Sequence, residues 1–140
     1  MPIATPTQPD DTAVRTALWR ALHVLADAPP HVFVDEVGLA IAAPDLHWRD
    51  RPDMSPFTRP FRASIVARAR FLEDHVATAV ARGVDQYVIR GAGLDTFAQR
   101  RVDLTSRLDV FEIDRPGPQA WKRLRLESLR LGVPPCLHLV

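Results

Sequence analysis

The triplet Gly91-Ala92-Gly93 follows directly on a short apolar run, Tyr87-Val88-Ile89. A second run, Leu108 to Ile113, ends on Asp114. Glycine takes φ > 0, and without a Cβ it lets a ligand touch the backbone. Asp114 stands near the roughly 20-residue offset at which a nucleotide-binding βαβ unit presents a carboxylate to ribose hydroxyls. Glycine backbone on one side and a carboxylate on the other could hold a nucleoside-containing ligand. The same residues also suit a ligand-free strand-to-helix turn, with Asp114 as a helix cap.

These residues need elements to position them. Tyr87-Val88-Ile89 and residues 108–113 have the β-branched and aromatic character of strands. Residues 96–102 allow only a short helix between them. Pro116 and Pro118 suit a helix start, and 119–131 continues it with Trp121, Leu124, Leu126 and Leu129. Lys122, Arg123, Arg125 and Arg130 on that helix are expected as a solvated basic face. Residues 137–140 begin a third strand. Alternation of this kind predicts an α/β fold with a parallel, doubly wound, Rossmann-like sheet of about three strands. Right-handed connections would set strand 2 beside strand 1 and strand 3 outside it.

Helices precede the sheet. Val14, Ala17, Leu18, Ala21, Leu22 and Leu25 recur at helical spacing, so 12–26 is expected as a helix, with Trp19, Arg20 and His23 off its apolar stripe or at its edge. Residues 35–42 could be a short strand or a short helix. Residues 44–61, rich in proline, are expected as an irregular loop. Residues 62–82 form the longest helical pattern, with Ile65, Ala69, Leu72, Val76, Ala79 and Val80 as its stripe. Arg68, Arg70, Glu73 and Asp74 are its polar positions, which helix physics alone would leave as a solvated, ion-paired face. Residues 1–11 are expected as a disordered tail. Residues 12–140 are expected as one truncated domain, with a helical part at 12–83 and a βαβαβ part at 84–140.

The composition narrows the function classes. The chain has 140 residues, 46% hydrophobic and 25% charged, with a net charge of +1. No basic excess points to nucleic acid. Cys136 is the only cysteine, so no internal disulfide or multi-cysteine zinc site can form. The five histidines lack metal-ligand spacing. No apolar run is long enough for a membrane span, and no signal-peptide pattern stands at the N-terminus. A soluble, cytoplasmic protein is expected.

An ordered set of segments carries a family resemblance: VRTA (14–17), SIVARARFLED (64–74), GVDQYVIRGAGLDTFA (83–98), VFEIDRP (110–116) and QAWKR (119–123). Together they resemble the N-terminal half of class I S-adenosylmethionine-dependent methyltransferases of the leucine carboxyl methyltransferase type. Within that type they are most similar to an actinobacterial branch of candidate O-methyltransferases. The resemblance implies S-adenosyl-L-methionine (AdoMet) as cofactor. Gly91, Ala92 and Gly93 would approach its methionine and ribose, and Asp114 would accept from the ribose hydroxyls. Arg68 matches the family arginine that pairs with the methionine carboxylate, for which a guanidinium is suited. Asp95 and Thr96 lie in the matching turn, where helix capping is the competing role. The acceptor would be a carboxylate or hydroxyl of a small molecule or peptide.

Two departures from the family pattern stand out. Arg90 replaces an apolar residue just before Gly91. The family's later strands, which complete the adenine and acceptor sites, are absent, leaving the edge of strand 1 open to self-association. The alternative to an active enzyme is therefore a truncated remnant that binds AdoMet without turnover. A dinucleotide oxidoreductase ranks below both, because the third glycine of GxGxxG is missing.

Overall fold

The computed structural model describes residues 5–140. Helices come first: α1 Asp11–Ala21, α2 His23–Ala26, α3 Glu36–Ala42 and α4 Arg59–Ala81. The alternating part follows: β1 Gln86–Arg90, α5 Phe97–Arg100, α6 Val102–Thr105, β2 Asp109–Ile113, α7 Pro116–Ser128 and β3 Leu137–Leu139. The α/β order matches the expectation. No described helix is long and apolar enough to cross a membrane.

Local chemistry explains where the helices begin. The Asp10 carboxylate accepts from the Ala13 N–H at 2.9 Å and caps α1. Asp35 accepts from the Gly38 N–H at 2.7 Å, which makes 35–42 a helix rather than a strand. Pro60 and Pro116 sit in the first turns of α4 and α7, where a missing N–H costs nothing. The proline-rich loop contains three single 3₁₀ turns, Trp48–Asp50, Pro52–Met54 and Pro56–Thr58. Of the segment 1–11, residues 1–4 lie outside the described residues. Within the rest, the Thr7 N–H donates to the Gly117 carbonyl at 3.1 Å and Pro9 is buried.

The three strands are parallel, in the order β1-β2-β3. Strands that step in one direction through right-handed connections carry their helices on one face. Tyr87, Ile89, Val110 and Leu137 belong to that face and pack with Val76, Val80, Phe97 and Leu104. A second cluster joins Ala17, Ile41, Leu94 and Leu126. The other face carries Val88, 53% exposed, and Ile113, 40% exposed. The sheet is thus one wound half of a Rossmann-like arrangement. Helices on the second face would require the strand order to reverse beyond β1.

Three sequence expectations are corrected. Of the α4 stripe, Val76 and Val80 are buried, but Leu72 is exposed, and Arg62 and Val66 are buried instead. Helix α4 runs from α1 to the sheet and borders a cleft between them, so Ile65, Ala69 and Leu72 line that cleft. Arg123 on α7 and Arg130, just past its end, are exposed as expected. Lys122, however, is fully buried, and Arg125 donates to the carbonyls of Ile41 and Ala40, each at 3.1 Å. Trp19 and His23 are buried as well. The Trp19 Nε1–H donates to the Asp53 carbonyl at 2.9 Å, which ties α1 to the proline-rich loop.

Candidate functional site

The cleft lies where β1 ends, between α1 and α4, and has a volume of about 800 Å³. That is within the range of small-molecule sites. Arg68, Gly91, Ala92, Gly93, Asp95 and Asp114 all line it. The structure therefore brings these six together, including Arg68, which lies far from the others in the chain, but leaves Thr96 outside the lining.

The glycine turn is built onto the end of β2. The N–H groups of Gly91 and Ala92 donate to the Ile113 carbonyl at 2.8 and 3.3 Å. The Gly93 N–H donates to Asp114 Oδ2 at 2.6 Å, and the Arg115 N–H donates to Asp114 Oδ1 at 2.7 Å. Each carboxylate oxygen keeps lone-pair capacity for a further donor. Gly91 has φ +64°, and a Cβ there would meet nothing within 4 Å. A side chain at 91 would project into open space beside the turn, so glycine keeps the approach to the backbone clear. A Cβ at Gly93, where φ is +54°, would stand 3.3 Å from the Ala13 Cβ of α1.

The polar face of α4 divides its roles. Arg70 pairs with Asp74 at 2.9 Å across an exposed helix turn. Glu73 pairs with Arg100 and Arg101. Arg68 is exposed and borders the cleft. Arg90 also lines the cleft, at the end of β1. Asp95 Oδ1 accepts from the Phe97 N–H at 2.7 Å, which is the capping role weighed for it, while the residue still borders the cleft. Thr96 is fully buried and donates to Asp35 Oδ1 at 2.7 Å, a structural role. Burial raises the Tyr87 phenol to about 12, so a neutral hydroxyl stands in the cleft wall at neutral pH.

Sequence reasoning missed two buried charge groups beside the turn. Asp35, which is 1% exposed, lies 3.2 Å from Arg100 Nε and 3.6 Å from Arg20 Nε. Arg20 also donates to the Leu94 carbonyl at 2.9 Å. In the second group, Lys122 Nζ stands 2.5 Å from Glu112 Oε2, and both residues are fully buried. Lys122 Nζ also donates to the Asp95 carbonyl at 2.6 Å. Burial pushes the Glu112 carboxyl above its ordinary value, with the Lys122 charge opposing. A period of two along β2 puts Glu112 on the face of Val110, and helical spacing puts Lys122 on the face of Leu126. Those periodicities were the available signal. Among the described residues, no group of three or more His, Cys, Asp or Glu side chains could hold a metal ion.

Comparison with known proteins places the chain in a family. Residues 13–140 match the leucine carboxyl methyltransferase family. The chain is 43% identical over 95 residues to YktD of Bacillus subtilis, named as a candidate S-adenosyl-L-methionine-dependent methyltransferase. That match covers 68% of this chain and 29% of YktD. Similarly named proteins of Streptomyces coelicolor and Frankia alni are 34% and 36% identical, each match covering 85% of this chain and 43% of the relative. The chain thus spans less than half the length of these relatives. With the match running almost from end to end of the chain and a glycine turn, an acid and an arginine gathered in one cleft, this protein belongs to the leucine carboxyl methyltransferase family.

Proposed function

We propose that the cleft binds S-adenosyl-L-methionine and that this chain forms the cofactor-holding part of a methyltransferase. The observation that carries this is the meeting of Arg68, the Gly91–Gly93 turn and Asp114 around one cavity. Arg68 would pair with the methionine carboxylate, and Asp114 would accept from the ribose hydroxyls. The open approach at Gly91 would admit the ligand to the backbone. AdoMet supplies a methyl group activated on a sulfonium, and the protein's task is to hold an acceptor in line with it.

The acceptor class that fits is a carboxylate or hydroxyl on a small molecule or peptide, giving O-methyl transfer. A carboxylate acceptor needs no general base, which suits a cleft whose described carboxylates are already engaged with backbone or arginine donors. The setting proposed is the cytoplasm. A second reading is favoured by the uncovered sheet face: the chain binds AdoMet without turnover. Among the described residues β1 has no strand on its outer edge, beside exposed Val88, which further supports self-association of this chain.

Calorimetric titration with AdoMet and with its demethylated product tests the reading. Saturable binding is expected. Arg68→Ala and Asp114→Ala should each weaken it by about 1–3 kcal/mol, the scale of a charge-assisted hydrogen bond. Gly91→Val should abolish it. A folded chain that binds neither compound would overturn the proposal, and unchanged affinity in both alanine variants would remove the site assignment.

A further inference from the structure

Three consecutive residues of β2 and its end brace the glycine turn. Ile113 accepts from the N–H groups of Gly91 and Ala92 through its carbonyl, and Asp114 accepts from the Gly93 N–H. Glu112 makes the third brace indirectly: its carboxylate holds Lys122 Nζ, which donates to the Asp95 carbonyl at the far end of the turn. The arrangement is poorly explained as a source of stability. Glu112 Oε1 is buried with no hydrogen-bond partner, and a buried ion pair is often no more stabilising than apolar residues of the same volume. A pair retained at that cost, with one end on the turn, suits a geometric task.

We infer that Lys122 is a positioning residue that fixes the Gly91–Asp95 turn in the shape that receives the ligand. The role depends on the AdoMet reading for its ligand, but the bracing itself does not. Without the ammonium, the Asp95 carbonyl loses its strut, and the turn keeps its attachments at Gly91, Ala92 and Gly93 and the Arg20 hydrogen bond to the Leu94 carbonyl. Local opening then becomes easier, while the helices and strands keep their packing.

The test is amide hydrogen exchange on the ligand-free chain, followed by AdoMet titration. The double variant Lys122→Met/Glu112→Leu replaces the pair with apolar residues of similar size. We expect exchange at the Gly93 amide, measured against the core amides of Val110 and Leu126, to rise at least about tenfold. AdoMet affinity should fall by a similar factor. Equal acceleration at Gly93 and in the core would mean a purely structural pair and would overturn the inference, as would a variant that keeps its Gly93 protection. Should this variant not fold, Lys122→Gln/Glu112→Gln, neutral and too short at 122 to reach the Asp95 carbonyl, makes the same comparison. If the unsubstituted chain does not bind AdoMet, the proposed function fails, yet the exchange arm still decides the role of Lys122.

Discussion

Each face of the sheet carries an exception to the usual distribution of residue types. On the covered face, a carboxylate and an ammonium, Glu112 and Lys122, are fully buried. On the open face, the hydrocarbons Val88 and Ile113 stand in solvent. The cause is topology. Strands β1, β2 and β3 step one way, so right-handed connections wind every helix onto one side. For these four residues, position relative to the winding decided exposure and residue type did not. The covered side holds the turn and its braces as a finished unit, and the open side is a surface still suited to packing.

The contrast can be attacked most strongly through single charges. Lys122→Met alone leaves Glu112 buried and uncompensated. It should cost about 3–5 kcal/mol in urea denaturation. Arg90→Met, exposed at the end of β1, should stay within about 0.5 kcal/mol. Similar losses in both would erase the distinction between the faces.

Acid titration sharpens it, because two carboxyls move in opposite directions. Arg62 hydrogen-bonds Asp27 and holds its carboxyl below the ordinary 3.8. That contribution is present above the unfolded value and is lost as pH falls through the lower folded value. Arg62→Met should therefore flatten the acid limb of the stability curve and remove about 1.5–3 kcal/mol near neutrality, the scale of a hydrogen bond between charged groups. Glu112 is pushed above its ordinary 4.5, first by burial. Its penalty is absent below the unfolded value and grows as pH rises through the folded one. Measured against the unsubstituted protein, Glu112→Gln should gain relative stability as pH rises from 4.5. A difference curve with no slope would remove burial as the cause.

The smallest effect is expected on the open face. Val88→Thr should change stability by less than about 0.5 kcal/mol. It should shift light-scattering mass toward monomer if the β1 edge associates. An unchanged mass distribution would locate any association elsewhere.

Much of this was legible in the sequence, for identifiable reasons. The strands around the glycine turn carry their own β character, and Pro116 announces a helix start without tertiary help, whereas Pro60, expected in the loop, stands in the first turn of α4. The cleft residues were found because a glycine turn and an acid have fixed chemical uses, and Arg68 because an ordered resemblance supplied what helix periodicity did not. Leu72 misled, since an apolar stripe looks the same whether it faces a core or a cavity. Lys122 misled for a different reason. It was grouped with Arg123, Arg125 and Arg130 by charge, whereas its angular position on α7 beside Leu126 pointed inward. Its partner Glu112 lies on another element, and a single helix pattern cannot reveal a pair made across elements.

The packing of Ala17 on α1 with Ile41, Leu94 and Leu126 bears on how the molecule is made. Helix α1 is synthesised well before its packing partners on the turn and on α7. Contacts of such long sequence separation slow folding. The nascent α1 can shield Leu18 and Leu22 against Trp48 early, but Ala17 lacks Leu94 and Leu126 until residues near 126 arrive, which marks this part of the helix as the segment on which a chaperone would act during synthesis.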